Sequence, residues 1–313
     1  MAVGVLGLLD SGDSSAPAPL KRQAGTRLSA GEIVGEPIRV AHPSGVGVGS
    51  KYVWVANQAT GAVHVTDPLT GEPAIPPIQV GGRPSDLTIG SAAIFVANSD
   101  ADSVVRIDPR TFTVAARIPV GDSPSDLAIS PRAVWVANED DDTVTRIDTL
   151  TDLPVGGPIH VGQEPSSLIY ADGSVWVTNA QDDTVSRIDP RSRRVVQTIP
   201  VGDHPAGITV SIDAVWVTNL EDDTVSRIDV ESNRVIRTIQ VGDRPMQPKA
   251  GARYVWVPNS GDGTLSRIDL STNRIAGRPV PIGRSAERVS IGLDGIWVTS
   301  SVDGTVTRVE PTN

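Results

Sequence analysis

The apolar residues of this chain fall in short runs of four to seven, rich in Val, Ile and Thr, broken by clusters of Asp, Asn, Ser and Gly. Runs of that length bounded by turn-forming residues are the signature of short β-strands. The segment from Pro205 to Asp243 shows the unit. It predicts strand A at Gly207–Ser211, B at Val215–Asn219, C at Thr224–Asp229 and D at Arg234–Val241. No helix-period run of ten or more residues occurs in the repeat region.

The unit recurs. An aromatic residue between apolar neighbours centres strand B at Trp54, Phe95, Trp135, Trp176, Trp216, Trp256 and Trp297, with spacings of 41, 40, 41, 40, 40 and 41 residues. Four strands in a period near forty is the arithmetic of a β-propeller blade, which buries its faces only by stacking on its neighbours. The fold class expected is all-β, a seven-bladed β-propeller of four-stranded antiparallel blades.

The ends of the repeat support a closed ring. The last unit supplies A (Arg288–Gly292), B (Gly295–Ser300) and C (Thr305–Glu310) but no D. The segment Glu32–Val40 (EIVGEPIRV) aligns with the D segment Arg274–Ile282 (RIAGRPVPI). The N-terminal strand is therefore expected to complete blade 7 and so remove exposed sheet edges. Residues 32–313 form one propeller domain in this reading, and residues 1–31 an apolar stub with a flexible linker. Ala2–Leu9 is too short to span a bilayer, which takes about 20 residues, and lacks the basic flank of a signal peptide. Two readings stand side by side: the end of a membrane helix that begins before Met1 and tethers the propeller, or an unstructured cytosolic N-terminus.

Composition narrows the partners. A formal net charge of -10 argues against nucleic acid, which needs a basic footprint. With no Cys there is no disulfide, thiolate ligand or thiol nucleophile. Only Lys21, Lys51 and Lys249 are lysines among 27 basic residues, a bias that with abundant Ala, Val and Gly fits a high-GC bacterial source. Every one of the 6 Trp residues lies on a strand B, so these read as packing elements between blades.

Strand B carries Trp-Val-Thr-Asn at Trp176–Asn179 and Trp216–Asn219, and close variants in the other blades, with Ser300 replacing Asn in the last. Asp-Asp-Thr-Val-Ser-Arg-Ile-Asp follows at Asp182–Asp189 and Asp222–Asp229, and Val-Gly-Asp-x-Pro turns stand at Val201–Pro205 and Val241–Pro245. The chain from Glu32 onward thus resembles the YVTN-type β-propeller repeat family, with Trp in place of Tyr. The resemblance implies an extracytoplasmic bacterial propeller, of the kind found as sensor domains of membrane Ser/Thr kinases and in streptogramin (virginiamycin B) lyases. For the lyases it implies His and Glu acid/base groups around Mg²⁺ in the propeller mouth. The histidines here, His42, His64, His160 and His204, cannot be matched to that site residue by residue.

Features that recur in six of the seven blades read as structural: the strand C arginines, Arg106 to Arg308, and the acidic B–C turns, whose Asp residues suit tight hairpins. Function is sought where one blade departs from its siblings. The D–A turns run Arg83-Pro-Ser-Asp86, Ser123-Pro-Ser-Asp126, Glu164-Pro-Ser-Ser167, His204-Pro-Ala-Gly207, Arg244-Pro-Met-Gln247 and Ser285-Ala-Glu-Arg288. The candidate site at the mouth is Asp86, Asp126, His204, Arg244, Met246, Gln247, Glu287 and Arg288, with no catalytic or metal-binding residue named and no cofactor assigned. The leading expectation is a non-catalytic, extracytoplasmic sensor or interaction propeller that binds a small ligand or a protein there. The alternatives are a metal-dependent lyase of the streptogramin type and a structural interaction scaffold.

Overall fold

The computed structural model describes residues 31–311. The stub and linker expected over residues 1–31, with the membrane tether they suggest, lie outside the described residues except for Gly31. Those residues form seven antiparallel sheets, one for each aromatic strand B. Blade 5 contains Pro205–Val210, Ala214–Asn219, Thr224–Asp229 and Arg234–Gln240, ordered A-B-C-D. Each strand predicted for this blade is present, with its ends within two residues of those expected.

Burial explains the sequence pattern. Strand B is buried at every position in six-residue stretches such as Ser174–Asn179 and Ala214–Asn219, because both faces of a blade pack on neighbouring blades. The outer strand D, as in Arg194–Pro200, is largely exposed. The Trp residues fill the space between blades, and the strand C arginines lie over them. Guanidinium carbons stand 5.5 Å from the Trp135 ring, 4.9 Å from Trp176 and 5.6 Å from Trp216. Blade 1 has Val65 at the arginine position, paired with Trp54, and Trp54 stacks on Phe112 at 5.8 Å.

Blade 7 combines Ala286–Gly292, Gly295–Ser300 and Thr305–Val309 with Ile38–Arg39 from the start of the chain. Ile38 pairs antiparallel with Val306 and Arg39 with Thr305, and Ile33 bridges to Val309. The ring is thus closed by the N-terminal strand. Gly35, at φ 73°, and Pro37 interrupt that strand, which is why regular pairing covers only part of the expected Glu32–Val40.

The acidic turns hold the mouth together. Asp182 Oδ2 accepts the Gln163 amide (2.9 Å), and Asp183 Oδ1 accepts the His204 amide (2.9 Å) at the entry to the next blade. Asp142 and Asp223 do the same for Glu164 and Arg244. Turn carboxylates at this face are therefore backbone caps that lock the D–A turns on which the candidate site is carried.

Candidate functional site

In six blades strand A enters the ring through a β-bulge or a related irregularity just after the D–A turn, and bulges re-aim the side chains around them. Two positions at this point differ from blade to blade. At the first, Ser44, Ser85, Ser125 and Ser166 donate their hydroxyls to the carbonyls of Pro84, Pro124, Pro165 and Pro205 in the next blade, at 2.6 to 2.8 Å. Blades 5, 6 and 7 carry Ala206, Met246 and Glu287 there, so this inter-blade rivet is replaced by variable side chains. At the second position stand Gly45, Asp86, Asp126, Ser167, Gly207, Gln247 and Arg288, one from each blade. These seven form the neck of the propeller.

The neck is bridged across its centre. Arg288 Nη1 lies 3.4 Å from Asp86 Oδ1 and 3.4 Å from Asp126 Oδ1, and Nη2 donates to the Ser125 carbonyl (3.4 Å). Asp126 accepts from the Leu127 amide (2.9 Å), the Leu168 amide (2.9 Å) and the Ser167 hydroxyl (2.6 Å). Ser167 Oγ also lies 2.8 Å from Gln247 Oε1. The Pro-Met-Gln-Pro sequence breaks strand A of blade 6, leaving only Lys249–Ala250 as regular strand, and Gln247 bridges instead to Arg288 of blade 7.

Above the neck is a mouth cavity of about 460 Å³, whose lining includes Glu139, His204, Met246, Gln247, Glu287 and Arg288. Below it is a channel cavity of about 360 Å³, walled by aliphatic residues such as Ile89, Ile129, Ile169 and Ile291, with Lys249 at its side. Arg288, Gln247 and the ring of A strands separate the two.

Electrostatics divide the titratable groups. Burial pushes the Asp86 carboxyl well above the usual carboxylate range, against the attraction of Arg288 and with the help of the nearby Asp126 charge. Burial also works against the Arg288 charge, but Asp86 and Asp126 outweigh it and raise its affinity for the proton. Burial raises Glu139 as well, reinforced by Asp140 and Glu164, while His204 pulls in the opposite direction. A half-buried carboxyl with a histidine neighbour in a cleft is the environment in which acid/base groups are tuned.

The structure thus brings seven of the eight sequence candidates to the mouth or its neck: Asp86, Asp126, His204, Met246, Gln247, Glu287 and Arg288. Arg244 is a correction. Its guanidinium is half exposed on the rim, in an ion pair with Glu221 at 3.3 Å, and does not line the cavity. Of the two candidate arginines only Arg288 reaches the neck, where it is inserted between Asp86 and Asp126. Sequence reasoning passed over Glu139 because it stands at the head of an acidic turn, Glu139–Asp142, whose other members are turn residues. Its distinguishing signal is Glu where blades 4 and 5 have Ala180 and Leu220.

The model of the Virginiamycin B lyase family matches residues 35–309. The chain belongs to that family. No curated protein sequence matched. Among solved structures, a streptogramin B lyase superposes with a TM-score of 0.77 at 15% identity, covering 88% of this chain and 97% of that one. A virginiamycin B lyase from Staphylococcus aureus gives 0.75 at 19% identity, over 88% and 99%. A catalytically inactive histidine-to-alanine variant of the S. aureus enzyme, solved with quinupristin, gives 0.76 at 19% identity, over 88% and 99%. Kuenenia stuttgartiensis hydrazine synthase also gives 0.76, at 17% identity over 87% and 96%, so likeness at this level speaks to fold alone. Membership of a lyase family overturns the expectation of a non-catalytic sensor or interaction propeller. That expectation rested on histidines that could not be matched to a lyase site residue by residue.

Mg²⁺, implied by the resemblance to streptogramin lyases, does not fit the donors of this mouth. Among the described residues no three His, Asp or Glu side chains converge as a metal centre requires. Glu287 Oε1 already accepts hydroxyls from Ser285 (2.7 Å) and Ser301, and Asp86 and Asp126 already face a guanidinium. A hard cation seeking six oxygen ligands in octahedral array finds no such set here.

Proposed function

We propose that this protein is a lyase that opens macrocyclic esters of the streptogramin B type in its mouth cavity. Family membership over residues 35–309 carries the reading. The mouth adds groups suited to the chemistry. A lyase cleaves without water. A base takes a proton from the carbon beside a carbonyl, the C–H electron pair becomes a C=C bond, and the C–O bond breaks to release a carboxylate. Glu139 and His204 are the acid/base pair in this scheme, because both line the cavity and the Glu139 carboxyl feels the charge of His204. Arg288, on the cavity floor, faces the carbonyl oxygen that gains negative charge as the proton leaves.

Quinupristin is the first substrate to try, with mass spectrometry as readout. Elimination yields a linear product of unchanged mass with a new double bond, whereas hydrolysis adds one water. His204→Ala and Glu139→Gln are each expected to lower turnover by roughly 10²-fold or more. Full turnover in both variants would remove the pair from the mechanism, and no turnover by the parent protein would reject quinupristin-type esters as its substrates.

A further inference from the structure

The floor of the mouth already holds a cation. Arg288 arrives from blade 7 and crosses to Asp86 and Asp126 on blades 2 and 3, so its guanidinium lies between two buried carboxyl groups. Carboxylates taken out of water need a compensating positive charge, and a guanidinium keeps its charge at any physiological pH. The peptide unit that leads into Arg288 is fixed through both its N–H and its C=O. The Arg288 amide donates to Thr299 Oγ1 (3.0 Å), and the Glu287 carbonyl accepts the Gln247 amide (3.0 Å).

The neighbours are sized to this arrangement. A Cβ added at Gly45 would stand 3.0 Å from Asp86 Oδ1, and one at Gly207 would stand 2.8 Å from Gln247 Oε1. The two glycines therefore leave the room that the polar side chains use. Asp126 Oδ2 is committed to Ser167 and the Leu168 amide, and Oδ1, which also accepts the Leu127 amide, is the oxygen turned to the arginine.

We propose that Arg288 is the resident cation of this mouth, in the position a divalent metal would otherwise be called on to fill, and that the native mouth takes up no divalent metal. The proposal concerns the charge on the cavity floor and holds whether or not quinupristin is a substrate.

The probe is Mn²⁺, titrated against the full chain and followed by electron paramagnetic resonance. The parent protein is expected to show no saturable site. Arg288→Gln, which keeps the length but removes the charge, is expected to bind one Mn²⁺ per chain at mildly alkaline pH and to melt at higher temperature in its presence. Adding Asp126→Asn to that variant is expected to abolish both effects, and it also measures loose binding to the acidic turns. A saturable site in the parent protein that is lost on Glu287→Gln, His204→Ala or Asp126→Asn would overturn the proposal. So would a folded Arg288→Gln variant, with native circular dichroism, that binds no Mn²⁺. Should Arg288→Gln fail to fold, the parent titration decides alone. A failed quinupristin assay alongside the expected metal pattern would sink the lyase reading and leave the resident cation standing.

Discussion

Trp216 shows how much one residue contributes here. It is fully buried, its indole N–H donates to Ser211 Oγ (3.0 Å), and Arg227 covers its ring. Trp216→Ala leaves a large void between blades 5 and 6 and is expected to cost about 3–5 kcal/mol, measured by urea unfolding. Asp86 contributes in the opposite sense. Its folded-state titration lies above the unfolded one, so the folded chain binds its proton more tightly. Stability is therefore lost as pH rises from the ordinary carboxylate range through the raised folded value. Asp86→Asn removes that cost, and the variant is expected to melt increasingly above the parent as pH rises, the two curves meeting near pH 4. A gap that widens on acidification instead would show that Asp86 is ionised in the folded state. Asp269 behaves in the usual way: the Ser271 hydroxyl and backbone amides pull it down to about 2, so its contribution is present above pH 4 and lost as pH falls toward 2.

Among the elements, the segment that closes the ring matters most. Ile38 and Val40 are buried against Trp297, Val306 and blade 1, so the N-terminal strand is both an edge cover and part of a core. Removing residues 32–40 exposes the Thr305–Val309 edge, a template for pairing with other chains. The truncated chain is expected to associate on size exclusion and to lose near-ultraviolet circular dichroism. A monomeric, fully ordered product would refute the role assigned to that strand. The A strands contribute in another way, since four serine rivets hold the entries of blades 1 to 4 while blades 5 to 7 spend the same position on Ala206, Met246 and Glu287. The variable half of the ring is thus the half that supplies most of the mouth chemistry.

Across the whole molecule, the propeller joins groups that no local segment could. Glu139 lies on blade 3, His204 on blade 5 and Arg288 on blade 7, and all three line one cavity. If Glu139 accepts the substrate proton it must be ionised, so turnover is expected to rise with pH through its raised titration. Glu139→Gln should flatten that limb of the profile, and an unchanged profile would assign the base elsewhere. Part of the acidic balance of the chain serves the fold, because turn aspartates on this face cap backbone amides.

The sequence by itself determined the blade count, the strand plan and the closure of the ring, because each blade repeats the same local physics: a strand buried on both faces reads as an unbroken apolar run, and Asp-rich turns punctuate it. It also located the mouth, since departures from a repeat stand out against six copies. Tertiary structure decided what those departures do. Arg244 and Arg288 are two arginines in equivalent D–A regions, yet one turns to Glu221 on the rim and the other closes the neck between Asp86 and Asp126. Residues 162 positions apart meet only because the ring closes, and no period along the chain records a distance across it. The raised titration of Asp86 and the meeting of Glu139 with His204 at one cavity likewise come from burial and from neighbours on other blades, which are properties of the assembled ring.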